Sequence, residues 1–243
     1  MDGIDLFLGG LAVVAGAVAA IVGFGIGSLL TPALGAVIGT KAAVAVVAVP
    51  HLVATAVRLW ALRRSVDRRV LLTFGLASAV GGLLGALLHA AITSPVLAAV
   101  LGLLLILAGG LELTGLGRRL RFPGPWAIAA GLASGAFGGL VGNQGGIRSA
   151  ALLRFDLSPQ ALVATATASA ILVDLARLPV YLVTSGAQLV ASWPTILLLT
   201  AGVVLGTFVG APILRRLPDP IFRRGLATVL ILLGLALVAG LVV

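Results

Sequence analysis

Gly23-Phe24-Gly25-Ile26-Gly27-Ser28 and Gly142-Asn143-Gln144-Gly145-Gly146 are two glycine-rich stretches inside otherwise apolar sequence. They lie 119 residues apart, and we call them the first break and the second break. Glycine disfavours a helix interior, so each break predicts that one helix stops and another begins there. In membrane proteins, interrupted helices at matching positions of two halves indicate a substrate site where the halves meet.

The composition is that of a membrane protein. Of the 243 residues, 60% are hydrophobic and only 9% are charged, whereas a soluble domain carries about 25% charged residues. Nearly the whole chain falls into apolar runs of about 20 residues, the length that crosses a bilayer as a helix. These runs are too long for the strands of a transmembrane barrel. We therefore predict an all-α polytopic membrane protein in contact with lipid.

The net charge of +9 is concentrated in short arginine-rich loops at 63–69, 118–121 and 215–224. Such clusters set the orientation of a membrane protein and do not form a nucleic-acid surface, so no nucleic-acid partner is expected. The chain has no cysteine and two histidines, which excludes disulfides and thiolate metal sites and argues against a metal cluster. No motif organises a nucleophile with a base, so we expect neither an enzyme nor a cofactor.

The correspondence between the breaks extends along the chain. Arg58 aligns with Arg177 at the same offset, and further on Gly81 aligns with Gly206 at an offset of 125, so the second half has gained six residues near 184–192. We predict three parts: a first membrane repeat at 1–117, a cytoplasmic linker at 118–125 and a second membrane repeat at 126–243.

The charges of corresponding loops predict that the two repeats are inverted. Loop 63–69 is basic, whereas its counterpart 184–192 carries no charge. Loop 89–95 has no Lys or Arg, whereas its counterpart 215–224 has four arginines. Because basic loops stay in the cytoplasm, corresponding loops lie on opposite sides of the membrane.

This orientation constrains the two broken segments. With loop 63–69 and linker 118–125 in the cytoplasm, segment 158–184 alone supplies the crossing to the outer loop at 184. Segment 126–157 must therefore begin and end on the same side of the membrane, and the same applies to segment 4–40. Each segment either enters the membrane and returns, or makes a tight double pass. We expect each repeat to contain one such re-entrant segment and three transmembrane helices, with both chain termini outside.

Local signals predict where individual helices begin and end. Thr31 followed by Pro32 is typical of a helix start, with Thr as the N-cap and Pro at the first helical position. Trp60, Trp126 and Trp193 stand at the ends of apolar segments, as interfacial anchors do.

The breaks themselves are candidate anion-binding elements. A helix that begins inside the membrane presents N–H groups without partners and the positive end of its dipole. The glycines allow a ligand to approach the backbone, and the amide side chains of the second break add donors. The alternative is that the glycines serve close helix packing. The predicted substrate-binding residues include Gly23, Gly25, Gly27, Ser28, Gly142, Asn143, Gln144, Gly145 and Gly146.

Arg148 is the sharpest single prediction for that site. It follows the second break by two residues and lies far from any predicted loop. An arginine inside a membrane is a functional-site hypothesis, because its burial is unfavourable without a partner. The alternatives are snorkelling to the membrane surface or a structural pair with Asp174. His89 is expected at the membrane interface, and Glu112 is expected to snorkel.

Two helices that follow the breaks each carry polar residues on one face. We assign these residues to gating or coupling. Thr55 aligns with Asp174, which is expected to pair with Arg177 or Arg148 and is the candidate carrier of a coupling proton. For Arg58, contact with lipid headgroups is an equal alternative. The residues are His51, Thr55 and Arg58 in the first repeat and Thr167, Asp174, Arg177 and Tyr181 in the second.

At these residues the chain resembles the sulfite exporter TauE/SafE family, also called the toluene sulfonate uptake permease family. The resemblance covers nearly the whole length as two halves. Each half has a glycine-rich run followed by an Ala/Val/Thr-rich helix: 23–32 with 42–58, and 135–153 with 158–181. The resemblance implies transport of small sulfur-containing or organic anions such as sulfite, sulfonates or thiosulfate across the bacterial inner membrane.

The sequence therefore predicts a multi-pass secondary transporter of the bacterial inner membrane that moves a small anion by alternating access, with protons as the candidate coupling ion. No nucleotide-binding loop is present, so an ion or substrate gradient would supply the energy. A passive anion channel would use the same helix dipoles and remains the main alternative. A membrane-embedded enzyme or scaffold is the weaker one.

Overall fold

The computed structural model describes residues 3–115, 126–153, 155–214, 216 and 218–240, and the statements below concern these residues. They form helices joined by short turns and contain no strand. Seven helices are long and apolar enough to cross a membrane, which confirms the all-α polytopic prediction. In chain order the helices are α1 (Gly3–Val22), α2 (Ile26–Ile38), α3 (Thr40–Leu62), α4 (Arg68–Ala91), α5 (Ser94–Thr114), α6 (Trp126–Val141), α7 (Gly145–Leu152), α8 (Pro159–Ala191), α9 (Trp193–Gly210) and α10 (Asp219–Val238).

Both halves have the same order of elements: a helix, a glycine break, a second helix, a long helix and two further helices. The two interruptions lie where the glycines predicted them. Gly23 and Gly142, which align in the repeat, both adopt left-handed backbone, with φ of 81° and 73°. This conformation ends a helix and is readily available only to glycine. The predicted linker at 118–125 lies outside the described residues.

The predicted helix start at Thr31 and Pro32 is wrong. Helix α2 already begins at Ile26, with Gly25 as its N-cap, and Pro32 lies inside it. The glycines of the first break allow the chain to turn and the new helix to begin six residues before the start that Thr31 and Pro32 predicted. A proline inside a membrane helix is tolerated where neighbouring elements accommodate the freed backbone groups.

Helix α8 is longer than the apolar run that predicted it. It continues to Ala191 and leaves helical geometry at Ser185, where φ is −133° and ψ is 18°. The six residues gained near 184–192 therefore extend α8 beyond this bend. The three tryptophans lie at helix ends and are exposed, as predicted for interfacial anchors.

Glycine faces let α4 and α6, from different halves, pack at very short distance. A Cβ on Gly135 would lie 1.8 Å from the carbonyl oxygen of Ser78, so only glycine fits there. Gly131 contacts Phe74 and Gly139 contacts Gly82, so the contacts advance in the same direction along both helices. Helices α4 and α6 therefore run parallel, held by small-residue packing.

The reciprocal pair, α1 and α9, packs in the same way. A Cβ on Gly206 would lie 1.9 Å from the carbonyl oxygen of Val13, and one on Gly16 would lie 2.1 Å from that of Val203. Gly210 contacts Ala17 one turn further along both helices, so α1 and α9 are also parallel. The broken helix of each half is thus held by the other half.

The two long helices, α3 and α8, pack on each other in the centre and carry half of the buried polar side chains of the described residues. Helices α5 and α10 form a third pair between the halves, and Gly109 and Gly102 contact Ala227 and Gly234 in antiparallel order. This arrangement places the ends of α1 and α6 beside the middle of α3 and α8.

Candidate functional site

The two breaks meet each other in the interior. A Cβ on Gly27 would lie 2.2 Å from the carbonyl oxygen of Gly142, and one on Gly145 would lie 2.1 Å from Cβ of Phe24. Each break therefore touches backbone or near-backbone atoms of the other. Packing explains these two glycines, and it brings the predicted binding elements of both halves to one place.

Helices α2 and α7 begin at this contact without side-chain caps. The N-cap residues, Gly25 and Gln144, make no capping hydrogen bond from a side chain. The first N–H groups of such helices have no partner within the helix and carry the positive end of the dipole. The buried Ser28 hydroxyl donates to Oδ1 of Asn143 at 3.3 Å, which links the two starts.

Arg58 and Arg177 bind the C-terminal ends of the two interrupted helices in equivalent ways. Nη1 of Arg58 donates to the carbonyl oxygen of Ala19 at 2.6 Å, and Nη1 of Arg177 donates to that of Gly138, also at 2.6 Å. Both donors and both acceptors match at the repeat offset of 119. A cation at a helix C terminus is favourable, so each arginine stabilises the end of the interrupted helix in its own half.

Arg148 connects the two breaks, and part of its guanidinium group has no hydrogen-bond partner among the described residues. It lies in the first turn of α7 and is only 2% exposed. Its Nη2 donates to the carbonyl oxygen of Gly23 at 2.9 Å, while Nε and Nη1 have no partner among the described residues. Buried polar groups are nearly always hydrogen-bonded, so two unused guanidinium nitrogens at one place are exceptional.

Asp174 is the buried carboxylate of the site. It accepts from Nε of Arg177 at 3.0 Å and lies 2.8 Å from Nη2 of the same arginine. Its other oxygen lies 2.6 Å from Nδ1 of His51 on α3. Of the two expected partners, the structure pairs Asp174 with Arg177 and not with Arg148. No group of three or more His, Cys, Asp or Glu side chains in the described part of the chain could hold a metal ion.

The charges in this interior do not balance. Arg58, Arg148 and Arg177 are buried, and the only buried carboxylate of the described residues is Asp174, which leaves an excess of two positive charges. Arg58 and Arg148 repel each other, and both are attracted by Asp174. Because uncompensated buried charge is strongly unfavourable, the site is electrostatically suited to an anion.

Two predicted coupling residues take no part in this cluster of charges. The Thr167 hydroxyl donates to the carbonyl oxygen of Val163 in its own helix at 2.7 Å. Thr55 is fully buried, and its hydroxyl has no partner among the described residues. Since Thr55 occupies the position equivalent to Asp174, only the second half brings a carboxylate to the centre.

His89 is a site residue that the sequence did not indicate. It is fully buried within the protein, and its Nδ1 lies 2.8 Å from the carbonyl oxygen of Leu140, to which Nδ1–H can donate. Its ring packs against that of Tyr181 at a centroid distance of 5.0 Å. The repeat-equivalent position holds Leu214, so the internal alignment carried no signal for it.

A cavity of about 420 Å³ leads to the breaks from the side where α5 ends and α10 begins. Glu112 lies in its wall and accepts from Nη1 of Arg223 at 2.7 Å, so it is paired within the protein. Phe24 of the first break and Gly146 of the second both reach the cavity. The remaining lining residues are Ile21, Val22, Ala108, Leu111, Gly115, Ser149, Leu153 and Leu162.

The contact between the breaks predicts unequal effects at two equivalent glycines. Gly27→Ala should lower the free energy of unfolding by about 1–3 kcal/mol, because its Cβ would overlap the Gly142 carbonyl. Gly146→Ala is the matched substitution: its nearest neighbour, Cβ of Ala108, would lie 3.8 Å away, so stability should not fall. Thermal unfolding in detergent measures both, and equal unfolding midpoints would contradict the described contact.

Comparison with known proteins identifies a family for the chain. No curated protein and no solved structure matches the chain. The family model described as Sulfite exporter TauE/SafE matches residues 8–237, which include both breaks and every helix that contributes to the site. The chain therefore belongs to the sulfite exporter TauE/SafE family of membrane transporters, whose name implies a small anionic substrate.

Proposed function

We propose that this protein is a secondary transporter that moves a small anion, sulfur-containing or organic, across the bacterial inner membrane by alternating access. The observation that carries the proposal is Arg148, a buried guanidinium whose Nε and Nη1 have no partner in the part of the chain that the structure describes. It stands where two uncapped helix starts meet and where buried positive charge is in excess. An anion bound there would satisfy the donors and reduce the excess charge together.

The binding groups come unequally from the two halves. Each half supplies the free N–H groups of one helix start, at α2 and α7. Ser28 adds a hydroxyl from the first half, whereas Asn143 and Arg148 come from the second. The anion should therefore lie closer to the second break, and its affinity should depend most on that half.

The inverted arrangement of the halves is part of the proposal. Helix α4 begins with arginines and α9 is followed by arginines, so both of these ends are assigned to the cytoplasm and the two helices run in opposite directions. Because α6 packs parallel to α4 and α1 packs parallel to α9, α1 and α6 also run in opposite directions, which supports the inversion. In this orientation both termini lie outside. The cavity beside Arg223 opens to the cytoplasm, so the described conformation is inward-facing.

The cluster of His51, Asp174 and Arg177 is the proposed gating or coupling element. The 2.6 Å contact between His51 and Asp174 joins α3 to α8, beside the ends of α1 and α6 that Arg58 and Arg177 bind. A change at one member of this cluster alters the position of helices from both halves. Protons are the proposed coupling ion, because a His–Asp contact is a natural place to hold one.

Transport by purified protein in liposomes tests the proposal. We expect sulfite flux that saturates with concentration and changes when a proton gradient is imposed. Thiosulfate, an alkyl sulfonate and chloride as competitors would define the substrate class. A passive channel would show weakly saturating conductance without coupling. Absence of flux for every anion would sink the transport proposal.

A further inference from the structure

The C-terminal turn of α6 is held by side chains at three successive carbonyl groups. They lie in the last turn of the helix, where carbonyl groups lack intrahelical partners, although that of Gly138 also accepts from the Gly142 N–H at 3.1 Å. Each accepts a hydrogen bond from a different side chain, two on α8 and one on α4. The pairs are Arg177 to Gly138 at 2.6 Å, Tyr181 to Gly139, and His89 to Leu140 at 2.8 Å.

Two further contacts hold the second break itself. The Ser134 hydroxyl donates to the carbonyl oxygen of Gln144 at 3.2 Å, across the reversal. The Gln144 side chain folds back on α6, so that a Cβ on Gly138 would lie 3.1 Å from its Cδ. Both residues are buried, and the second break is thereby tied to the helix that precedes it.

The first break has no such anchoring. Arg58 is the only described side chain of its own half that binds the end of α1, at Ala19. The carbonyls of Ala20 and Ile21, which correspond to Gly139 and Leu140, accept no side-chain hydrogen bond from the described residues. The position equivalent to Tyr181 is Leu62, which has no donor.

The other side-chain hydrogen bonds of the first break link it to the other half, through Ser28 to Asn143 and through Arg148 to Gly23. Nη2 of Arg148 donates to the Gly23 carbonyl oxygen, while Ile21 and Val22 line the cavity. Arg148 is also the residue that we assign to the anion. One of these two hydrogen bonds therefore comes from the binding residue itself, whereas the side chains that anchor the second break to α4, α6 and α8 do not involve Arg148.

We infer that His89 and Tyr181 are positioning residues that keep the second break and Arg148 stationary, while the first break is the part that moves during transport. This inference rests on the proposed function, since it assigns unequal roles to the two breaks of one transport site. Its physical basis is that local opening of the second break requires the loss of several buried hydrogen bonds. Opening of the first break requires the loss of fewer.

Hydrogen exchange of backbone amides tests this directly. In the wild type, amides of 142–148 should exchange at least about tenfold more slowly than those of 23–29. Tyr181→Phe removes only the hydroxyl and should speed exchange at 142–148 about fivefold, without a change at 23–29. Thr184→Ala is the matched control, because its hydroxyl donates within α8 to Val180 and does not reach α6.

Transport kinetics give a readout that a merely structural role would not move. With sulfite as the probe, Tyr181→Phe should raise KM several-fold and leave the maximal rate nearly unchanged, because Arg148 is less well placed. Equal exchange at the two breaks, or an unchanged KM with only a lower unfolding temperature, would overturn the inference while transport stands. Absence of sulfite flux in the wild type would overturn it together with the proposed function.

Discussion

Arg148→Ala should reduce anion flux by about 100-fold or more. The substitution removes a buried guanidinium whose Nε and Nη1 have no partner among the described residues, and hydrogen bonds to charged groups contribute about 1.5–3 kcal/mol each. It also removes the link from α7 to the Gly23 carbonyl. Stability should change little or even increase, because an incompletely paired buried charge disappears with the side chain. Lost flux without lost stability is the signature of a binding residue.

The measurement is sulfite uptake into liposomes, with thermal unfolding of the same preparation. Arg148→Lys should recover only part of the flux, since an ammonium keeps the charge but not the planar set of donors. Arg64→Ala removes an exposed arginine from the turn after α3 and is the matched control, expected to transport like the wild type. Wild-type flux in Arg148→Ala would refute the site assignment.

Asp174→Asn should be strongly destabilising, by about 3–5 kcal/mol. Asparagine has nearly the same shape, but the change leaves three buried arginines without a carboxylate and weakens the contacts to His51 and Arg177. Because the contact between His51 and Asp174 joins α3 to α8, its weakening should loosen the packing of these helices in the centre of the molecule. Transport should fall with it.

Thermal unfolding in detergent measures this effect, with Asp156→Asn, the same change at an exposed carboxylate, as control. The double variant Asp174→Asn/Arg177→Gln should be less destabilised than the sum of the single variants, because the second change removes the charge left unpaired. An unfolding midpoint equal to that of Asp156→Asn would contradict a structural ion cluster at Asp174.

Features that depend on local sequence were predictable. Apolar runs of membrane length located the helices, and left-handed backbone at Gly23 and Gly142 follows from glycine at both positions. The start of α2 shows the limit of local signals. Thr31 and Pro32 form a good capping pair, yet the helix begins at Ile26, because the packed first break decides where the chain turns.

The site was predictable as a set of residues but not as a set of contacts. The repeat offset paired Arg58 with Arg177, and both cap equivalent helix ends. Nothing in one sequence indicated that His51 faces Asp174, 123 residues away, or that the His89 ring lies against Tyr181. Such contacts depend on how α3, α4 and α8 cross, which hydropathy and spacing do not report.

The sequence by itself determined the membrane character of the chain, its two matching halves and the places where its helices break, because hydropathy and glycine content act over a few residues. Only the tertiary structure decided that the breaks touch, that two donors of Arg148 have no partner among the described residues, and that side chains anchor the second break more firmly than the first. The physical reason is that a buried polar group acquires its role from the partners that packing provides or withholds.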